Sequence, residues 1–142
     1  MKITLNRIDD DFLFQCTNSR GRSILLDNIS HNENSQGVSP MESVLMAVAG
    51  CSGIDMVSVL KKQRQEITSF AAEVQGERVE EDGAKPFKDI TVTFRLEGNI
   101  DPAKAARAAM LSFTKYCSVS KTLEPRVTVH YHVFVNGERI TE

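Results

Sequence analysis

The chain has 142 residues, 41% hydrophobic and 25% charged, with 17 Lys and Arg against 19 Asp and Glu for a net charge of −2. That length suits a single domain over 1–142, able to bury roughly 68–70% of its unfolded surface. The near balance of charge excludes the basic footprint of a nucleic-acid binder, and the ordinary apolar content excludes disorder. Three cysteines, Cys16, Cys51 and Cys117, are too few and odd in number for a secreted disulfide scaffold. The N-terminal residues reach Asp9-Asp10-Asp11 with no apolar signal segment before them. The uncharged stretch 43–54 falls short of the roughly 20 residues of a membrane span. A cytoplasmic setting, no membrane and free thiols are the resulting expectations.

The first third of the chain predicts a β-meander. Ile3 and Leu5 alternate with polar neighbours, Phe12, Phe14 and Cys16 share a face, and Ile24-Leu25-Leu26 forms a third apolar run after the turn residues Asn18-Ser19-Arg20-Gly21. Residues 28–38 are polar and read as a loop. Ser39-Pro40-Met41-Glu42 then carries a helix-start signature: Ser39 caps, Pro40 fits the first helical position, and Glu42 completes an S-x-x-E capping box. The helix that follows is expected to end near residue 63 or 65. Residues 44–54 are apolar or small nearly all round, which predicts burial on most sides, and Lys61-Lys62-Gln63-Arg64 places cations at the helix C-terminus.

Two long strands are predicted at 67–79 and 87–97, the second with Ile90, Val92, Phe94 and Leu96 on one face, joined by a charged hairpin loop. Asp101-Pro102 opens a second helix in which Ala106, Met110, Phe113 and Cys117 share a face. A last strand, 126–135, aligns Val127, Val129, Tyr131, Val133 and Val135. The order βββ-α-ββ-α-β predicts an α+β protein with antiparallel pairing.

The chemistry-bearing candidates are the cysteines. Cys51 is flanked by Gly50, Ser52 and Gly53, which leave room for a ligand or another helix at the sulfur. It lies on the order of 17 Å from the helix start, too far for the N-terminal dipole to activate it. A thiolate there needs another cation, and Asp55, one turn on, opposes it unless turned away or paired. The competing reading is a small buried hydrophobe. Cys117 ends the apolar face of the second helix and reads equally as core; no C-x-x-C spacing links it to Cys51. If the two helices pack together, the thiols form a nucleophile and a resolving partner. Cys16 reads as packing. His130 and His132 fall opposite the valine face of the last strand and His31 lies in a polar loop, so no metal set is expected, and no phosphate-cradling glycine pattern or G-x-S-x-G motif occurs.

Ser39-Pro40-Met41-Glu42-Ser43-Val44-Leu45, Ala47-Val48-Ala49-Gly50-Cys51 and Tyr116-Cys117-Ser118-Val119-Ser120 resemble the OsmC/Ohr family of osmotically inducible and organic hydroperoxide resistance proteins. The resemblance covers most of the chain and its element order, and Gly50-Cys51-Ser52-Gly53 is closest to a less-characterised OsmC-like branch. It implies an intertwined homodimer with long central helices buried against each other, and no cofactor. It also implies that Cys51 attacks an organic hydroperoxide and becomes a sulfenic acid, that Cys117 condenses with it to a disulfide, and that a dithiol such as a lipoylated protein reduces the product.

The family's peroxidases also use an early-strand Arg to stabilise the thiolate, oriented by a Glu directly after the Pro. Arg22 is the first candidate for the Arg and Arg20 the second. Met41 stands where the Glu is expected, and Glu42 follows one residue later, a rotation of about 100° on a helix. Glu42 is thus the candidate orienter, but its reading as a helix cap comes first. The alternative to a peroxidase is a dimeric, stress-related OsmC-like binding protein with little or no turnover.

Overall fold

The computed structural model describes residues 1–31 and 33–141; position 32, inside the predicted loop, and position 142 lie outside the described residues. The chain divides into two compact units, Met1–Val44 and Leu45–Glu142.

The first unit is a three-stranded antiparallel meander of β1 (Ile3–Arg7), β2 (Phe14–Asn18) and β3 (Ser23–Leu26) in the order β1-β2-β3. Phe12 lies ahead of β2 and stacks edge-on against His31, 5.1 Å between ring centroids, so the face it was expected to share with Phe14 and Cys16 begins only at Phe14. The β2–β3 turn is held by Asn18, whose Oδ1 accepts from the Arg20 and Arg22 backbone N–H groups at 2.8 and 3.0 Å, with Gly21 at φ 76°. Such an Asx turn is the structural reason for Asn and Gly at these positions. The loop after β3 is anchored by buried Asp27, whose carboxylate oxygens accept from the Asn28 and Gln36 N–H groups.

Helix α1 (Pro40–Lys62) starts where the capping box places it. The Ser39 N–H donates to Glu42 Oε2 at 2.7 Å and the Glu42 N–H donates to Ser39 Oγ at 3.1 Å, so two otherwise orphaned donors are satisfied reciprocally. Beyond its last residue, Lys62, Arg64 takes a left-handed φ of 57° and the Gln65 N–H reaches back to the Leu60 carbonyl.

In the second unit, β4 (Glu66–Arg78), β5 (Phe87–Asn99), β6 (Thr128–Val135) and β7 (Glu138–Arg139) form one sheet in that order. β4 and β5 pair antiparallel along nearly their whole length, with a bulge near Ile67 where Gly98 takes φ 135°. A Cβ at Gly98 would fall 2.1 Å from the Glu66 carbonyl oxygen, so the bulge requires glycine. β5 and β6 pair in parallel, Asp89 with Thr128 through Leu96 with Val135. The antiparallel expectation is corrected here: the helical segment between the two strands is a crossover that returns the chain in its starting direction. The short strand β7, which sequence did not predict, covers the end of β6.

That crossover is also more broken than its periodicity suggests. It comprises α2 (Pro102–Leu111), a π-helical turn (Ser112–Tyr116) and α3 (Ser118–Leu123). Asp101 caps α2 by accepting from the Ala103 and Lys104 N–H groups. The π turn inserts extra backbone and changes the helical phase. Met110, expected on the buried face, is therefore 44% exposed, whereas Ser112, Phe113, Cys117 and Ser120 are buried.

The core of this unit lies on one face of β5, where Ile90, Val92 and Phe94 are fully buried, and under the α1 stripe Val48, Ser52, Met56 and Leu60. Gly53 presents its bare Cα to the Phe70 ring, and a row of aromatic contacts runs Phe70–Phe94–Phe113–Tyr131, ending in a stacked pair 4.9 Å apart. The row couples β4, β5 and β6 to the π turn.

Burial of α1 is one-sided. It is the one helix among the described residues long and apolar enough to cross a membrane, with mean hydropathy 1.8 over its most apolar window, of which 22% is buried within the chain. The shorter reach expected from residues 43–54 stopped at Glu42 and Asp55, whereas the helix runs through both. A core helix of a globular protein meets the same measure of length and apolarity. Phe94, at the centre of the aromatic row, sets the first prediction: Phe94→Ala lowers unfolding free energy by about 3–5 kcal/mol, measured by urea denaturation at unchanged m-value.

Candidate active site

Cys51 projects from the middle of α1, and Cys117 sits at the junction of the π turn and α3, with its N–H donating to the Ser112 carbonyl at 2.8 Å and its carbonyl accepting from Lys121. The fold brings the two together: Cys51 Sγ, Cys117 Sγ and a carboxylate oxygen of Asp55 all lie within 4.8 Å of one another. Cys51 is half-buried and Cys117 fully buried.

Asp55 is placed one helical turn after Cys51, and its Oδ2 accepts a hydrogen bond from the buried Ser112 hydroxyl at 3.0 Å. The condition posed by the sequence, that Asp55 be turned away or paired, is thus met by a partner on the π turn. The Ser120 hydroxyl donates to Cys117 Sγ at 3.2 Å. Burial pushes the Cys117 thiol above its ordinary value; the Ser120 contacts act against this, and the adjacent Cys51 adds to the rise. Cys117 therefore rests as a protonated thiol near neutral pH.

Next to this cluster lies a cleft of about 450 Å³, lined by Asp55, Val59, Lys62, Arg107, Leu111 and Tyr116 among others. Lys62 and Arg107 bring two cations to it. Sequence singled out neither Arg107 nor Ser112, and named Ser120 only as part of the family motif; the serines' positions, five before and three after Cys117, acquire their roles only once the π turn is known.

The remaining candidates are placed as follows. Arg20 lies in the β2–β3 turn and Arg22 just ahead of β3, both exposed. Glu42 is engaged in the capping box, and no ion pair joins it to Arg20 or Arg22 among the described residues. Cys16 lies mid-β2, opposite Leu5 and Ile24, partly exposed rather than in a closed core. His130 contacts Asp89 at 3.3 Å and His132 contacts Arg139 at 2.8 Å, so both rings have partners on neighbouring strands.

Residues 31–132 match the family described as OsmC-like protein. The chain belongs to the OsmC family. It is 42% identical to protein YhfA of Escherichia coli K12 over 110 residues, 77% of this chain and 79% of that one. Among solved structures, a hypothetical protein from Aquifex aeolicus VF5 superposes with a TM-score of 0.78 at 26% identity, over 95% of this chain and 96% of that one. The organic hydroperoxide resistance protein OhrB of Bacillus subtilis shares the fold with a TM-score of 0.65 at 21% identity, over 94% and 96% of the two chains. The α+β OsmC-like fold is thereby established, with a mixed rather than purely antiparallel second sheet.

The capping box supplies a test of what Glu42 does. Ser39→Ala should cost about 1 kcal/mol of stability, whereas Glu42→Gln, which keeps a side-chain acceptor for the Ser39 N–H, should stay within about 0.5 kcal/mol of the parent. Thermal denaturation of both variants reads the difference.

Proposed function

We propose that the protein is a thiol-dependent peroxidase that reduces organic hydroperoxides, acting in a reducing cytoplasm as an oxidative-stress defence. The observation that carries this reading is the approach of the Cys51 and Cys117 sulfurs from two different helical segments. Family membership and the name of the structural relative OhrB support it.

The division of labour follows from exposure. Cys51, partly accessible, meets the hydroperoxide. Its thiolate attacks the distal oxygen, the O–O bond breaks, Cys51 becomes a sulfenic acid, and the alkoxide leaves and takes a proton from solvent as the alcohol. The sulfur of buried Cys117 then attacks the sulfenic sulfur. The S–S bond forms, and the hydroxyl leaves as water with the Cys117 proton. Closure from within 4.8 Å to the roughly 2.05 Å of a disulfide needs movement of the side chains. A dithiol, such as a lipoylated protein, restores both thiols by two exchanges and departs as its own disulfide. Arg22 takes the thiolate-stabilising role that the family resemblance gives it, with Arg20 the alternative, and Glu42 supports the site through the start of α1.

The reading is tested by treating reduced protein with stoichiometric alkyl hydroperoxide and mapping the cysteines by mass spectrometry. A Cys51–Cys117 disulfide is expected. Cys117→Ser should stop at Cys51 sulfenic acid or its further oxides, and Cys51→Ser should leave Cys117 reduced. Arg22→Ala should slow the first step by about tenfold or more, and the same loss in Arg20→Ala instead would reassign the role. Absence of the disulfide in the parent leaves a binding protein without turnover.

The functional unit in this proposal is a homodimer. On α1, Met46 and Ile54 are 55% and 70% exposed, and Ala47 and Gly50 lie exposed with them, with open space around the Gly50 Cα. Large and small residues at this spacing form the kind of helix stripe that packs against a second helix. Ile54→Asp is expected to shift the protein from dimer to monomer in light scattering coupled to size exclusion; a parent that is itself monomeric at micromolar concentration would overturn the dimer.

A further inference from the structure

We propose that the reduced protein binds one Zn²⁺ ion through Cys51 Sγ, Cys117 Sγ and Asp55. The donor set is suited to it. Thiolate sulfur is the preferred soft ligand for zinc, and a carboxylate oxygen is an accepted companion. Cys51 and Asp55 are four residues apart on α1, the spacing at which two side chains leave a helix on one face and can chelate a single ion, as the paired histidines of helical zinc motifs do. Cys117 supplies the third donor from a separate element. All three donor atoms lie within 4.8 Å of one another, while a tetrahedral site with Zn–S near 2.3 Å asks for donor separations of about 3.5–3.8 Å. Small side-chain rotations bridge that gap.

The surroundings are also those of a ligand set rather than of a chance cluster. The Ser112 hydroxyl fixes Asp55 through Oδ2, and no hydrogen bond among the described residues engages the other carboxylate oxygen. Hydrogen bonds to ligand atoms from the next layer of residues orient ligands in this way. The Cys117 backbone is tied to Ser112 and Lys121, so its position is preset. The cleft that Asp55 lines gives a route from solvent, and the fourth position of a three-ligand site is left for a water. Binding replaces the two S–H protons, which pass to solvent. Lys62 and Arg107, on the wall of the same cleft, partly offset the single negative charge left by two thiolates, one carboxylate and the dication.

The metal and the disulfide use the same sulfurs and exclude one another. Zinc would shield both thiols while the protein is reduced, and oxidation would release it. The site requires reduced thiols but not peroxide turnover, so it stands or falls separately from the peroxidase reading.

The test uses the full-length reduced protein, incubated with Zn²⁺, dialysed and assayed for metal, with Co²⁺ as a spectroscopic substitute. Expected are one zinc per chain and, with Co²⁺, a thiolate-to-metal charge-transfer band with the visible bands of tetrahedral cobalt. Cys51→Ser, and the parent after thiol alkylation, should lose both. Ser112→Ala, a small change that keeps all three ligand side chains, should weaken binding about 10–100-fold, and Asp55→Asn at least as much. No zinc retained by the reduced parent, zinc retained equally by Cys51→Ser, or affinity unchanged in both Ser112→Ala and Asp55→Asn would each overturn the site.

Discussion

The hydrogen bond from Ser112 to Asp55 joins two parts of the chain that the sequence keeps far apart. It crosses from the first residue of the π turn to the central helix, at the level where Cys51 faces Cys117. A half-buried carboxylate next to two thiols is costly unless a donor satisfies it. Once Ser112 does so, the same contact holds the turn against α1. The distance between the sulfurs is therefore set by a polar contact at the helix junction and by the aromatic row beneath it, in which Phe113, the next residue of the turn, stacks on Tyr131 and meets Phe94. Neither cysteine positions itself; each is carried by an element whose packing is decided elsewhere.

The features legible in the sequence were those governed by local rules. The capping box at Ser39 and Glu42 depends on four consecutive residues, and the apolar face of β5 depends on strict alternation over a strand buried on one side. The family motifs around Cys51 and Cys117 are equally local, and they pointed to the pair that the fold then brought together. What escaped was governed by geometry that no short window contains. The parallel pairing of β5 with β6 follows from a crossover of nearly thirty residues, and the exposure of Met110 follows from a π turn that begins after it. A face drawn by regular 3.6-residue periodicity is right on either side of such a turn but not across it. Asp55 was visible as a problem for a thiolate, but its solution lay on Ser112, 57 residues away.

The long helix α1 raises a different question, because its apolarity exceeds what its own chain covers. Its two faces are not equivalent. Val48, Ser52, Met56 and Leu60 recur every four residues and are fully buried, whereas Met46, Gly50 and Ile54 recur at the same interval and are exposed. Asp55 belongs to neither stripe, since its partner Ser112 lies on the chain's own π turn. On the exposed stripe, Gly50 leaves room for a second backbone to approach, a feature that the dimer proposed above would use and that contact with lipid does not require.

The unequal exposure of the two cysteines orders the chemistry that the pair can perform. A solute reaches half-buried Cys51 before it can reach Cys117, whose sulfur is fully enclosed and hydrogen-bonded by Ser120. Burial also keeps Cys117 protonated, which makes it a poor first nucleophile and, in the proposed reaction, would leave it a proton to give as the hydroxyl departs from Cys51 as water. Reversing the two roles would require the electrophile to enter the core and the more accessible thiol to wait. The same asymmetry applies to a metal ion, which would meet Cys51 and Asp55 on the helix first and engage Cys117 last, closing the site from the side that is already rigid.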